Sequence, residues 1–417
     1  MIMLRALGWA RQRAALRARR PGLASVGIGS ARSATPGRRF LSSSSLSVEA
    51  LPIIDLEPVL TSTGAERDAH RARIAEELLD AASTTGFLYV VGHGIEQEVF
   101  DKAYESLEQF FALQLKEKMT IHVSTGDGLK GYSALYEQGG YGVDETDMRA
   151  GEELGAGAEA ETEALMDAKG QQLRPPRGTA CTDSPLLGPP NTEVFHMGPE
   201  LSSSDPAYCE TFFAPNRWPK AEEFRENMER YHASVLGLSD ELFPLFARSL
   251  DLDETYFDKL VDKGMDSMNA VHYPALPSSE RERGQLGIGE HTDYECFTLL
   301  SQNGISGLEI LSECSDGDGG EPEMRWMRVP PLTGAFVVNV GDLLARWSDD
   351  RFKSTVHRAV NNNEGLSRLS IAYFRCCNFD TRIESLVAEE GQGKYPLVVA
   401  GEHMLKRIGE ANANEVV

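Results

Sequence analysis

From about residue 266 onward the chain is written in strand-length pieces, and that rhythm limits the possible folds more than any other feature. MNAVHYP, GQLGIGEH, CFTLLSQ, GLEIL, MRWMRV, GAFVVNVG, STVHRAV and RLSIAYF follow one another, most of them separated by Gly, Pro, Asp or Asn. Eight short strands at this spacing predict a β-sandwich or jelly roll. Helical periodicity lies upstream. Ile74, Leu78 and Ala81–Ala82 share one face of a helix predicted over Glu66 to Ala82, and Val99, Ala103, Leu107, Phe110 and Phe111 share another. A third pattern within residues 220–263 runs through Phe224, Met228, Tyr231, Val235, Leu238, Leu242 and Leu245. LPIIDL and GFLYVV are short apolar strands, the second closed by Gly92-His93-Gly94. The expected fold class is mainly β with flanking α-helices. The segments are a leader (1–48), a mixed region (49–265), a strand-rich core (266–380) and a C-terminal piece (381–417). An acidic, Gly- and Pro-rich insertion of low periodicity, about 124–190, interrupts the mixed region and reads as a solvated loop.

Charge is distributed unevenly. The net charge is −23, yet residues 1–48 hold nine arginines and no Asp, Glu or Lys. An Arg- and Ser-rich, acid-free leader is expected of a mitochondrial transit peptide; a plastid one, or a basic tail on a cytoplasmic protein, is the alternative. Without those nine charges the remainder stands at −32. So acidic a body repels phosphate backbones, which disfavours nucleic acid as substrate. No apolar run reaches about 18 residues, so no transmembrane helix is expected. Six cysteines without C-x-x-C spacing predict neither a zinc framework nor a disulfide scaffold.

His291-Thr292-Asp293 falls where a strand ends. In extended chain, residues i and i+2 point to one face, so imidazole and carboxylate converge. Downstream only His357, inside STVHRAV, and His403 remain. Two histidines and one carboxylate from adjacent strands would form the facial triad of non-haem Fe(II) sites, leaving three positions for a bidentate co-substrate and O2. An isolated H-x-D is weak evidence, because most such tripeptides are surface turns. The stretch Asn361–Gly365 lies midway between His357 and Arg368, and a hairpin there would set those two side chains opposite each other. Arg368 and Ser370 would then form a carboxylate clamp, with the Tyr273 hydroxyl available to the same anion. The plainer alternatives are a surface ion pair for Arg368 and a core position for Tyr273. Phe297, Leu299, Phe336, Val338 and Phe374 are candidates for an apolar pocket wall, and core packing explains each equally well. His93 is expected to be structural. His272 points away from Tyr273, and His122, His196, His232 and His403 lack a carboxylate at ligand spacing. Asp342 reads as a turn or cap residue with a possible supporting role at the metal, and Cys296 as a buried thiol.

LPIIDL, GFLYVVGHGI, PNRWP, NAVHYP, GEHTDYECFTLL, VVNVGDLLARWSDDRFKSTVHRAV and RLSIAYF occur in the order found in the isopenicillin N synthase-like 2-oxoglutarate/Fe(II) dioxygenases, and the chain resembles that family from residue 51 to about 405. The resemblance implies a double-stranded β-helix (jelly roll) core with Fe(II) on His291, Asp293 and His357. It implies that Arg368 and Ser370 bind the distal carboxylate of 2-oxoglutarate, with Tyr273 nearby. The implied reaction consumes O2 and 2-oxoglutarate, releases succinate and CO2, and hydroxylates, desaturates or cyclises a small organic molecule. Relatives that are oxidases and use no 2-oxoglutarate, such as isopenicillin N synthase and ACC oxidase, are the alternative. Glu295-Cys296 departs from many plant members, which carry glycine and a small or polar residue there.

Overall fold

The computed structural model describes residues 51–135, 191–276, 286–314, 323–361, 365–388 and 392–414. The leader, and the insertion from 136 to 190, lie outside the described residues.

The first half contains β1 (Ile53–Asp55), α1 (Glu57–Thr61), α2 (Gly64–Thr84), β2 (Phe87–Val91), α3 (Gln97–Phe111), α4 (Leu115–Lys118), β3 (Gly131–Ser133), β4 (Glu193–Met197), α5 (Glu210–Phe213) and α6 (Glu222–Ser249). All eight predicted strands follow, as β5 (Ser267–Tyr273), β6 (Leu286–His291), β7 (Phe297–Gln302), β8 (Leu308–Cys314), β9 (Glu323–Val329), β10 (Phe336–Val340), β11 (His357–Val360) and β12 (Arg368–Arg375). The helix α7 (Asp342–Trp347) separates β10 from β11, and β13 (Arg382–Ile383), β14 (Val398–Val399) and α8 (Ala400–Asn414) complete the order. The third helical pattern ends at Ser249, short of residue 263, and β3 lies inside the stretch expected to be loop.

A major sheet runs β1-β2-β10-β7-β12-β5-β4-β3, and a minor sheet runs β6-β11-β8-β9. The major sheet therefore takes strands from both sides of residue 265. Gly86, with φ +70°, turns the chain from α2 into β2; a Cβ there would lie 2.1 Å from the Lys353 carbonyl oxygen, so only glycine fits.

Strand parity sorts the side chains of the major sheet. Phe297 stacks 4.9 Å from Phe243 and 5.1 Å from Phe246, both on α6. Phe336 lies 5.4 Å from Phe100 on α3. Leu299 and Val338 share their faces and join the same apolar cluster. These four proposed pocket-wall residues are instead outer-face core, because α3 and α6 cover that side and bury it. Phe374 shares the opposite, inner face with Arg368 and Ser370 and pairs with Thr298. A smaller cluster joins the sheets from within: Phe87, Tyr89 and Val337 meet Leu308 and Ile310.

The hairpin expected between His357 and Arg368 does not form. β11 bonds to β6 and β8 in the minor sheet, whereas both edges of β12 are occupied by β5 and β7 in the major one. Equal spacing about a turn implies facing residues only where the two strands bond each other, and here the chain crosses between sheets instead. His357 pairs with His291, and Arg368 pairs with Tyr273.

Because Phe297 is core, Phe297→Ala should destabilise the protein by about 3–5 kcal/mol. Urea denaturation measures this; a loss below about 1 kcal/mol would mean that the ring does not fill the sheet–helix interface.

Candidate metal centre and anion clamp

His291 closes β6, and Asp293 follows two residues on. His357 opens β11, directly across the ladder, with the two ring centroids 4.2 Å apart. Asp293 Oδ1 sits 3.6 Å from His291 Nε2 and 3.5 Å from His357 Nε2. One ligand atom from each residue lies within 4.8 Å of the others, and no other such group occurs among the described residues.

The hydrogen bonds behind these side chains orient them. His291 Nδ1 meets the Gly289 carbonyl at 2.8 Å, and His357 Nδ1 meets that of Thr355 at 3.1 Å. A carbonyl only accepts, so each Nδ1 carries the proton and each Nε2 turns its lone pair inward. Thr298 donates its hydroxyl, and Asn339 its amide at 2.7 Å, to Asp293 Oδ2, leaving Oδ1 for the centre. Phe87 fixes the His357 ring from the side, edge-on at 5.3 Å. Two imidazoles and one carboxylate on one side of an open position suit Fe(II).

Burial pushes the His291 pKa down, and the neighbouring His357 adds to the effect. Burial acts the same way on His357, but the Asp293 carboxylate outweighs it and the net shift is upward. Burial would raise Asp293; the two imidazoles and Thr298 instead hold its carboxyl well below the usual range. The carboxylate is thus ionised at working pH, and a divalent cation competes with a proton on His357.

Asp342 does more than cap α7. It accepts from Thr292 Oγ1 (3.1 Å) and Ser354 Oγ (2.6 Å) and pairs with Arg407 of α8 (3.0 Å), while its backbone N–H donates to the Asp293 carbonyl at 2.7 Å. The loop that bears Asp293 is thereby tied to two helices.

Arg368 opens β12. Its guanidinium stacks 4.5 Å over the Tyr273 ring, and it donates to Ser370 Oγ (3.3 Å), Gln302 Oε1 (2.9 Å) and the Ile305 carbonyl (3.3 Å). Every one of these partners is neutral. The other buried arginines, Arg71, Arg358 and Arg375, each meet a carboxylate: Glu254, Glu309 and Asp266. Arg368 is 1% exposed and has no anionic partner among the described residues. A buried cation left without a counter-charge is costly, and an anion brought to Arg368 would relieve that cost.

The six site residues expected from sequence thus form two groups on the inner faces of the sheets. Sequence reasoning missed Thr298, Asn339 and Gln302. A signal existed, since Asn339 is the lone polar residue of FVVNV and Thr298 and Gln302 are an i, i+4 pair on one face of β7. Two of the remaining histidines take structural places. His93 packs on Phe100 and Phe336, and His272 binds Glu193 at 2.7 Å and Ser367 at 2.7 Å.

Two imidazoles and a carboxylate inside a jelly roll define a non-haem iron oxygenase. Comparison with known proteins narrows this class. The profile of the 2OG-Fe(II) oxygenase superfamily matches residues 265–377, and that of the non-haem dioxygenase in morphine synthesis N-terminal region matches 51–177. A 2-oxoglutarate-Fe(II) type oxidoreductase of Emericella nidulans is 31% identical, over 79% of this chain and 80% of its own. Clavatol oxidase of Penicillium crustosum is 30% identical, over 81% and 88%. A full-length Neurospora crassa protein crystallised with alpha-KG and thymine superposes with a TM-score of 0.64 at 26% identity, over 86% of this chain and 96% of that one. The chain belongs to the 2-oxoglutarate/Fe(II) oxygenase family. It is a 2-oxoglutarate-dependent dioxygenase, a class that uses Fe(II), 2-oxoglutarate and O2.

If Thr298 and Asn339 orient Asp293, Asn339→Ala should weaken metal binding about 10–100-fold without unfolding the protein. Anaerobic titration with Mn(II) checks this, and unchanged affinity would show that Asp293 needs no such support.

Proposed function

We propose that His291, Asp293 and His357 hold the Fe(II), and that Arg368, Ser370 and Tyr273 receive the distal carboxylate of 2-oxoglutarate. The enzyme would oxidise a small organic molecule by hydroxylation, desaturation or ring closure. The observation that carries the clamp assignment is the buried Arg368 surrounded by neutral partners. Ser370 and Gln302 hold the guanidinium over the Tyr273 ring, so its orientation is set before the anion arrives. Bound Fe(II) supplies O2 reduction; 2-oxoglutarate is the co-reductant and leaves as succinate and CO2. Thr298 and Asn339 keep Asp293 turned toward the metal throughout, and the two backbone carbonyls keep both imidazoles in one tautomer.

Incubation with Fe(II), ascorbate and 2-oxoglutarate should release succinate. His291→Ala should abolish that release, and Arg368→Leu should raise the 2-oxoglutarate KM about 10–100-fold through loss of charge-assisted hydrogen bonds. Wild-type affinity for 2-oxoglutarate in Arg368→Leu would transfer the clamp to other residues.

We also propose that residues 1–48 direct the protein to mitochondria; nine arginines without an acidic residue support the reading. A fluorescent fusion of residues 1–48 should coincide with a mitochondrial marker, and plastid or diffuse signal would overturn it.

A further inference from the structure

The inner face of the major sheet has an open floor. In the register of β7, β12, β5 and β4, Thr298 pairs with Phe374 and Phe374 with Ser267; two residues along, Leu300, Ala372, Asn269 and His196 stand in one row. Ser267, Asn269, Leu300, Ala372 and Phe374 are all part-exposed, while the alternating residues Met268, Ala270, Leu299 and Tyr373 are buried against the helices. Exposure on the face that looks into the barrel marks free space there. The space begins beside Thr298, which touches Asp293, and extends to Asn269.

The polar groups of this floor are chained. Ser133 Oγ lies 3.0 Å from His196 Nε2, and His196 Nδ1 lies 2.9 Å from Asn269 Oδ1. Burial pushes the His196 pKa down to about 4, so the ring is neutral and carries one proton. Asn269 Oδ1, which only accepts, is the atom that faces Nδ1, so Nδ1 carries the proton and donates to it, and the serine hydroxyl donates to Nε2. The Asn269 carbonyl is then turned back to His196. Its NH2 group, which meets no acceptor among the described residues, is left to the cavity.

We propose that Asn269 is a specificity-determining residue, pinned by His196 and Ser133, and that it selects an uncharged substrate bearing a carbonyl acceptor, such as an amide, lactam or imide. This rests on the dioxygenase site described above and adds the substrate class. An amide NH2 donates to a carbonyl oxygen and offers nothing to an ammonium group. A carboxylate would enter a floor of Leu300, Ala372, Phe374 and Ser267, which carries no cation among the described residues, at the cost of burying a charge. An unpaired substrate acceptor, or an unpaired Asn269 donor, is likewise penalised, which turns one hydrogen bond into discrimination.

Matched probes test this on the full chain loaded anaerobically with Fe(II) and 2-oxoglutarate. Benzamide is compared with benzoate and benzylamine, and thymine with orotate, by isothermal titration calorimetry. At least one uncharged probe should bind about tenfold or more tightly than its charged counterparts. Asn269→Leu should erase that margin, and Asn269→Asp, nearly the same in shape, should move the preference to benzylamine. Tighter or equal binding of the charged probes, no binding of either uncharged probe, or an unchanged margin in both variants would overturn the proposal. The visible charge-transfer band of the Fe(II)·2-oxoglutarate complex, read in the same samples, separates two kinds of failure. Its absence from wild type overturns the cofactor reading, whereas its presence with an unchanged margin overturns only the substrate class.

Discussion

A sheet must bury at least one face, and here that burial is supplied almost wholly from outside the barrel. α3 and α6 take Phe297, Leu299, Phe336, Val338, Ile371 and Tyr373 into one apolar layer. Apolar burial there, at about 25 cal/mol per Å², supplies the dominant favourable term and leaves the inner face free of the need to pack. The inner face can therefore hold what a core cannot: a carboxylate, two imidazoles, an arginine with no carboxylate partner among the described residues, and a floor of part-exposed residues.

The two charged groups on that face are treated in opposite ways. Asp293 is over-provided with partners, as it faces two imidazoles and accepts from Thr298 and Asn339, and its pKa is held low. Arg368 is under-provided, meeting oxygen atoms but no negative charge among the described residues. A site prepared for a cation and a site prepared for an anion thus stand within one barrel, as a metal with a dicarboxylate co-substrate requires.

Much of this was legible beforehand. The eight strands and the helices that begin near Glu66 and Val99 follow from period, and the triad candidates from spacing and residue chemistry. The clamp candidates Arg368, Ser370 and Tyr273 follow from residue chemistry and the family resemblance, since the hairpin that pointed to them does not form. What failed was inference about which strand bonds which. Local spacing around Asn361–Gly365 suggests a hairpin, but hydrogen-bond partners are settled by the whole sheet, and β12 finds its partners in β5 and β7. The wall residues failed for a related reason: alternation reveals two faces but not which of them the helices cover. Thr298, Asn339 and Gln302 were passed over because a single polar residue in an apolar strand has no partner visible in sequence. β3 and β4 carry Ser133 and His196, and each sits beside or within a stretch whose composition reads as loop.

On the proposed assignment, β12 would hold both ends of the reaction on one backbone. In the proposed reading Arg368 and Ser370 would anchor the co-substrate, and Ala372 and Phe374, part-exposed on the same face, would line the substrate floor. At about 3.3 Å of rise per residue, the strand spans about 20 Å from Arg368 to Phe374. Both edges of this strand are bonded, so it acts as a ruler of fixed length. A shift of one residue would turn Leu369 and Ile371 inward and remove anchor and floor together. Evolution toward a larger or smaller substrate is thereby confined to exchanging the side chains at the far marks of the ruler, and the distance to the co-substrate anchor is inherited unchanged.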